Sequence, residues 1–119
     1  MYRVKKSDKE LESMLDAVAG YFAVLAEPTR LRVLRALCGG ERSVGRIVEE
    51  TGVSQSTVSR HLAALHRRGI AARRREANLV YYRVSDANTP ELCRAVCSRM
   101  AHAMVARSPL RRRLETAFG

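Results

Sequence analysis

Between Ser43 and Val84 the spacing of apolar residues changes character, and that change constrains the fold more than any other feature of the chain. Val44, Ile47 and Val48 recur at helical spacing behind Ser43, whose hydroxyl can cap a short helix through about Glu50. Gly52 ends that helix, and Val53 is a lone apolar residue in the turn. Ser54 then caps a longer helix, predicted from Gln55 to about Arg68 and closed by Gly69. Residues 70–75 and 79–84 switch to a period of two around Ala77-Asn78, where asparagine tolerates a left-handed turn. In the second of these strands Val80, Tyr82 and Val84 face one way, and Leu79, Tyr81 and Arg83 the other. The segment therefore reads as two helices across a tight turn, followed by a hairpin.

Helices flank it on both sides. Ser7-Asp-Lys-Glu10 has the capping-box form, and Leu11, Met14, Leu15 and Val18 follow at helical spacing, giving a first helix over residues 7–20 that ends near Gly20. A short apolar stretch, Tyr21 to Ala26, leads to Pro28 at the first position of a second helix. Its stripe is Leu31, Leu34 and Leu37, and Gly39-Gly40 stop it. Thr89-Pro90-Glu91 restarts a helix with a cap, a first-turn proline and an acid, predicted over residues 90–106. Residues 107–119 read as a basic tail that either forms one short helical turn, with Leu110 and Leu114 on one side, or frays.

The fold class implied is mainly α with a small β-hairpin, in one domain covering residues 1–119; a chain of 119 residues leaves no room for a second lobe. Hydrophobic residues make up 46%, enough for a core, and the net charge is +10, which points to a polyanionic partner. No apolar run has membrane-spanning length, and no basic-then-apolar leader is present. Three cysteines in no close framework argue against an extracellular disulfide scaffold. A cytoplasmic protein with reduced thiols is expected.

A short helix, a glycine-containing turn, a longer helix and a hairpin form the order of a winged helix-turn-helix, here with residues 43–68 as the helix-turn-helix and 70–84 as the wing. Charge supports that reading. Residues 51–90 hold seven arginines and two acids, half of the net charge in a third of the chain. At about 100° per residue, Val58, Leu62 and Leu65 must point inward, while Ser56, Ser59, Arg60, Ala63 and Arg67 fall on the other side. Ser54, Gln55, Ser56 and Thr57 lie at the end of the helix that reaches base edges when such a helix enters a major groove. Glutamine can pair with adenine, and arginine with guanine or phosphate. Arg73, Arg74 and Arg75 on the wing suit phosphates or a narrow minor groove. His61, about 60° from the buried stripe, reads as packing or a phosphate contact. The expected partner is double-stranded DNA, and no cofactor is required to bind it.

Ala26-Glu-Pro-Thr-Arg-Leu-Arg-Val-Leu34, Ser43-Val-Gly-Arg-Ile47, Val53-Ser-Gln-Ser-Thr-Val-Ser-Arg-His-Leu62 and Leu79-Val-Tyr-Tyr-Arg-Val84 together resemble the ArsR/SmtB family over residues 15–88. The resemblance implies a homodimeric winged-helix repressor that leaves DNA on binding a metal, a metalloid or a reactive sulfur species. It implies that the first and last helices form a symmetric dimer interface, and that the helix from Gln55 reads an inverted-repeat operator. Two familiar family sites do not carry over. The thiolate pair on the third helix is replaced by Ser43-Val44-Gly45, and the last helix has His102 but no aspartate.

The last helix carries another pattern. With Cys93 at zero, Cys97 falls at about 40°, Met100 at about −20° and Met104 at about 20°, so four sulfur side chains share a stripe and His102 points away. Thiols at i and i+4 have β-carbons roughly 5–6 Å apart, a separation that can close around one soft ion but is too wide for a direct disulfide. Cys38 or a cysteine of a second subunit could add a third ligand. Three readings stay open. Cys93 and Cys97, with or without Cys38, take As(III) or Sb(III), with Zn and Cu(I) as further candidates. Alternatively, Cys38 with Cys93 or Cys97 senses persulfide or oxidant, or the thiols merely fill a helix seam.

Other function classes fit less well. Cys97 and His102 lie on different helix faces with no acid to orient the imidazole, so an enzyme is not expected. An architectural DNA binder would use the same arginines without discriminating an inverted repeat. Arg111-Arg112-Arg113 beside Leu110 and Leu114 is one turn of amphipathic surface, too little for a membrane anchor.

Overall fold

The computed structural model describes residues 6–119. It contains α1 (Lys6–Leu25), α2 (Pro28–Cys38), β1 (Arg42–Ser43), α3 (Val44–Thr51), α4 (Gln55–Arg67), β2 (Ala71–Glu76), β3 (Leu79–Val84), α5 (Asn88–His102) and α6 (Pro109–Glu115). The protein is mainly helical, with one three-stranded antiparallel sheet in the order β1-β3-β2.

The core is built where the sequence shows its most regular stripes. Val33, Leu34 and Leu37 of α2 meet Ile47 of α3 and Val58, Leu62 and Leu65 of α4, and Ile70 closes the cluster. Ser43 caps α3 by accepting from the Arg46 amide, and Ser54 caps α4 by accepting from the Thr57 amide. Gly52 takes φ +71° between them, a left-handed conformation that glycine adopts without penalty. The sheet presents alternate faces: Tyr82 is buried, and Val80 and Val84 pack against the core.

Four boundaries differ from the sequence reading. The helix through Ser7 is already formed at Lys6, so Ser7 lies within its first turn. It does not end at Gly20 but continues to Leu25. A mid-helix glycine costs about 1 kcal/mol, which is outweighed because Val24 and Leu25 pack on the core and the Tyr21 hydroxyl hydrogen-bonds Thr89 of α5. A β-carbon on Gly20 would lie 2.7 Å from the tip of the flexible Arg68 side chain, which could move aside. In the hairpin, Ala77 rather than Asn78 takes the left-handed conformation, with φ 54°.

At the third boundary, Thr89 is buried inside α5 rather than capping it. Asp86 serves the helix start, accepting from the Asn88 amide and the Thr89 hydroxyl. The fourth is the far end of that helix. α5 stops at His102, and residues 109–115 fold back as α6. Leu114 and Ala117 pack against the core, Phe118 is buried, and Arg94 donates to the Phe118 carbonyl at 2.9 Å. Residues 107–119 are thus anchored rather than a free tail. The short β1, paired with β3 through Arg42↔Tyr82 and Ser43↔Tyr81, is an element that two residues of sequence could not announce.

α1 is the exception to this order. None of its 20 residues is buried, and Leu11, Met14, Leu15, Val18 and Phe22 lie on one exposed stripe. The radius of gyration is 17.4 Å, against about 13–14 Å for a compact chain of this length.

Candidate nucleic-acid interface

α4 is held from behind and free in front. Its buried residues are Val58, His61, Leu62, Ala64 and Leu65. His61 belongs to this inner face, only 3% exposed, so it packs and does not reach a phosphate. Arg30 Nε donates to His61 Nδ1 at 3.2 Å, and His61 Nε2 lies 3.3 Å from Glu27 Oε2. Glu27 in turn accepts from the Thr29 and Arg30 amides at the start of α2, and Arg30 Nη1 donates to the Val24 carbonyl at the end of α1. This ring of contacts ties α1, α2 and α4 together. Burial pushes the His61 pKa below the ordinary histidine value, so the ring uses a neutral imidazole with its proton on Nε2.

On the outer side, Gln55, Ser56, Ser59, Arg60 and Arg67 are exposed. Ser54 and Thr57 are engaged with each other. The Ser54 hydroxyl donates to Thr57 Oγ1 at 2.9 Å while accepting from the Thr57 amide, and Thr57 is half-buried. They shape the helix start and leave Gln55 and Ser56 as its free tips.

The three wing arginines, alike in sequence, divide by strand face. Arg73 pairs with Tyr82 and Arg75 with Val80 across the ladder, whereas Arg74 pairs with Tyr81 on the opposite face. Arg74 Nη2 lies 2.8 Å from Glu41 Oε1, its Nη1 lies 2.7 Å from Glu76 Oε2, and its guanidinium stacks 4.6 Å from the Tyr81 ring centroid. These carboxylates raise its already high pKa further and balance its charge, so Arg74 is tied into the wing in a way that Arg73 and Arg75 are not. Arg60, Arg67, Arg73 and Arg75 make no ion pair with any described residue. Glu41, which decides this division, sits 33 residues from Arg74 and gives no local signal in the sequence.

The thiols lie on α2 and α5. Cys93 and Cys97 are buried on one face of α5, and Cys38 is half-buried at the end of α2. Burial raises all three thiol pKa values. The neighbouring thiols Cys97 and Cys38 push Cys93 in the same direction as its burial. The four-sulfur stripe is shortened, because α5 ends before Met104. Among the described residues no group of three or more histidine, cysteine or acidic side chains is placed to hold a metal ion. His102 Nδ1 contacts the Ser98 carbonyl at 2.7 Å and stands apart. No described helix is long and apolar enough to cross a membrane.

A capped helix with a free polar face, next to a hairpin with unpaired arginines, defines a winged helix-turn-helix DNA-binding protein. Comparison with known proteins narrows the class. Residues 27–73 match the family model described as bacterial regulatory protein, arsR family. The biofilm growth-associated repressor of Xylella fastidiosa is 32% identical over 88 residues, covering 74% of this chain and 77% of that protein. A protein of Streptomyces lividans described as a probable mercury resistance operon repressor is 39% identical over 77 residues, covering 65% and 62%. The homodimeric winged helix-turn-helix DNA-binding domain of a possible ArsR-family regulator from Mycobacterium bovis superposes with a TM-score of 0.71, at 31% identity, over 89% of this chain and 100% of that one. The chain belongs to the ArsR family and is a DNA-binding transcriptional regulator.

Proposed function

We propose that this protein is a homodimeric repressor whose two α4 helices enter successive major grooves of an inverted-repeat operator, and that a thiol-reactive inducer releases it. The observation that carries the DNA half of this reading is the free outer face of α4, with Gln55, Ser56, Arg60 and Arg67 beside the unpaired Arg73 and Arg75. The exposed α1 stripe supports the dimer. Each copy brings five large apolar side chains that are 48–62% exposed, each contributing on the order of 1 kcal/mol when covered.

For the inducer, Cys93 and Cys97 one turn apart form a two-thiol site for a soft ion such as As(III), Sb(III) or Hg(II), with any third donor coming from the second subunit. The relative named for a mercury resistance operon is consistent with this chemistry. A second reading rests on Cys38 packing against the core cluster to which Cys93 belongs. An oxidant such as hydrogen peroxide would take two electrons and two protons from that pair, forming a disulfide between α2 and α5 and leaving as water.

Operator fragments selected from random duplex, followed by gel-shift titration, test both halves. The repressor prefers its selected site over random duplex by at least ~10³-fold; equal affinity would make it an architectural binder. Cys97→Ser keeps DNA binding and loses release by As(III) or Hg(II) but keeps release by peroxide. Cys38→Ser does the reverse, and unchanged release in both variants would remove the thiols from the mechanism.

A further inference from the structure

A cavity of about 520 Å³ opens between α1, α2, α5 and α6, with no residue of the recognition helix in its lining. Its volume is that of a site for a drug-sized molecule, roughly 300–1,000 Å³. The walls are apolar: Phe22 and Leu25 from α1, Leu31 from α2, Val96 from α5, and Leu114 and Phe118 from the C-terminal segment. Among the described residues only two charged side chains line it, Arg32 and Arg35, one turn apart on the exposed face of α2. No acid lines the cavity, and neither arginine is ion-paired to a described residue. Arg32 has only a long 3.4 Å contact with the Thr29 hydroxyl. Cys93 and Cys97 form part of the wall, whereas Cys38 lies outside it.

We propose that this cavity is a binding site for an amphipathic carboxylate, an apolar chain of fatty-acid type whose single anionic head is held by Arg32 and Arg35. Apolar walls with two unbalanced cations and no acid complement that one charge pattern. A cation would be repelled, and a strongly hydrated molecule would lose water contacts that these walls cannot replace. A two-chain phospholipid exceeds the volume. The site goes beyond the thiol reading and does not depend on it, since the head group is held by arginines and the chain by packing. A bound ligand would touch α1 and α5, which carry the proposed dimer interface, and α2, against which α4 is packed. It therefore sits where the spacing of the two recognition helices is set.

Calorimetric titration of the full-length protein with decanoate tests the proposal, with decanol as the neutral control. Decanoate binds saturably, one per protomer, and more tightly than decanol. Replacing Arg32 and Arg35 by alanine weakens decanoate by roughly fivefold or more, as expected for exposed charge pairs, and leaves decanol unchanged. Val96→Trp fills the cavity and removes binding of both. Should that variant misfold, the surface arginine pair keeps the test decisive. Bound decanoate also slows alkylation of Cys93 and Cys97 by N-ethylmaleimide without protecting Cys38. Three results overturn the site: no saturable binding, as when a second copy fills the cavity in the dimer; equal affinity for acid and alcohol; or no effect of the arginine replacements. Cys93→Ser with Cys97→Ser still binds decanoate, so failure of the thiol reading and failure of this one are separable.

Discussion

The two ends of this molecule solve the problem of burial differently. Around α2, α3, α4 and the sheet, the large stripes meet other stripes of the same chain, and apart from Leu79 at the wing tip what remains outside is mostly polar or arginine. Around α1 and α5 the apolar residues stay outside: Leu11, Met14, Leu15, Val18 and Phe22 on one helix, Val96 and Met100 on the other. Both halves share one core, to which α5 adds Cys93 and Cys97 and the C-terminal segment Phe118, but only the α1–α5 half leaves a broad apolar surface exposed. For a repressor this division is useful. A rigid reading head can be moved as a unit by whatever changes the less finished end.

Charging the α1 stripe is the strongest way to break that comparison. Leu15→Asp with Val18→Asp leaves the core untouched, so the protomer stays folded by circular dichroism while sedimentation shows a monomer. Operator affinity then falls by about 10²–10⁴-fold, the range lost when two linked contacts become one. A variant that unfolds outright would mean that α1 belongs to the protomer's own core and that the two halves are not distinct.

Within the reading head the contrast between Arg73 and Arg74 is a finer test. Arg73→Ala removes one free cation, and the slope of log affinity against log salt becomes shallower by about one. Arg74→Ala leaves that slope unchanged and lowers the thermal midpoint instead, because it loosens the contacts among Glu41, Glu76 and Tyr81. Equal slopes for the two variants would remove the division of the wing into a bracing face and a phosphate face.

That same contrast marks how far the sequence can be read. The elements from Ser43 to Val84 are legible because their signals are local: a hydroxyl cap, a left-handed glycine, a stripe, a switch of period. Arg73, Arg74 and Arg75 are indistinguishable in sequence because the residue that separates them, Glu41, reaches Arg74 only after the sheet has formed. The extension of α1 through Gly20 has the same origin, since the packing that outweighs the glycine comes from α5 and the core. The α6 fold-back depends on Phe118, a single aromatic whose partners are distant in the chain. At the thiols, periodicity places Cys93 and Cys97 on one helix face, but the approach of Cys38 is a tertiary fact.

The smallest effect concerns the ring that joins the two halves. His61 is buried and neutral, accepting from Arg30 and facing Glu27. Its folded-state pKa lies below the ordinary value near 6.5, so the unfolded chain binds a proton there that the folded chain does not. Stability from this group is therefore full above the ordinary histidine range and declines as pH falls through it. A protonated ring could no longer accept from Arg30, and two cations would face each other where α2 meets α4. Glu27 acts in the same direction at lower pH, because the Arg30 amide, followed by the Thr29 amide, His61 and Arg30 charge, holds its carboxyl below the usual range. Thermal melts between pH 7.5 and pH 5 should show a falling midpoint in the wild type and a flatter profile in His61→Gln, which keeps a hydrogen-bonding side chain but cannot take up the proton. If the two profiles run parallel, the acid sensitivity lies elsewhere, and the join between the reading head and α1 does not depend on a neutral imidazole.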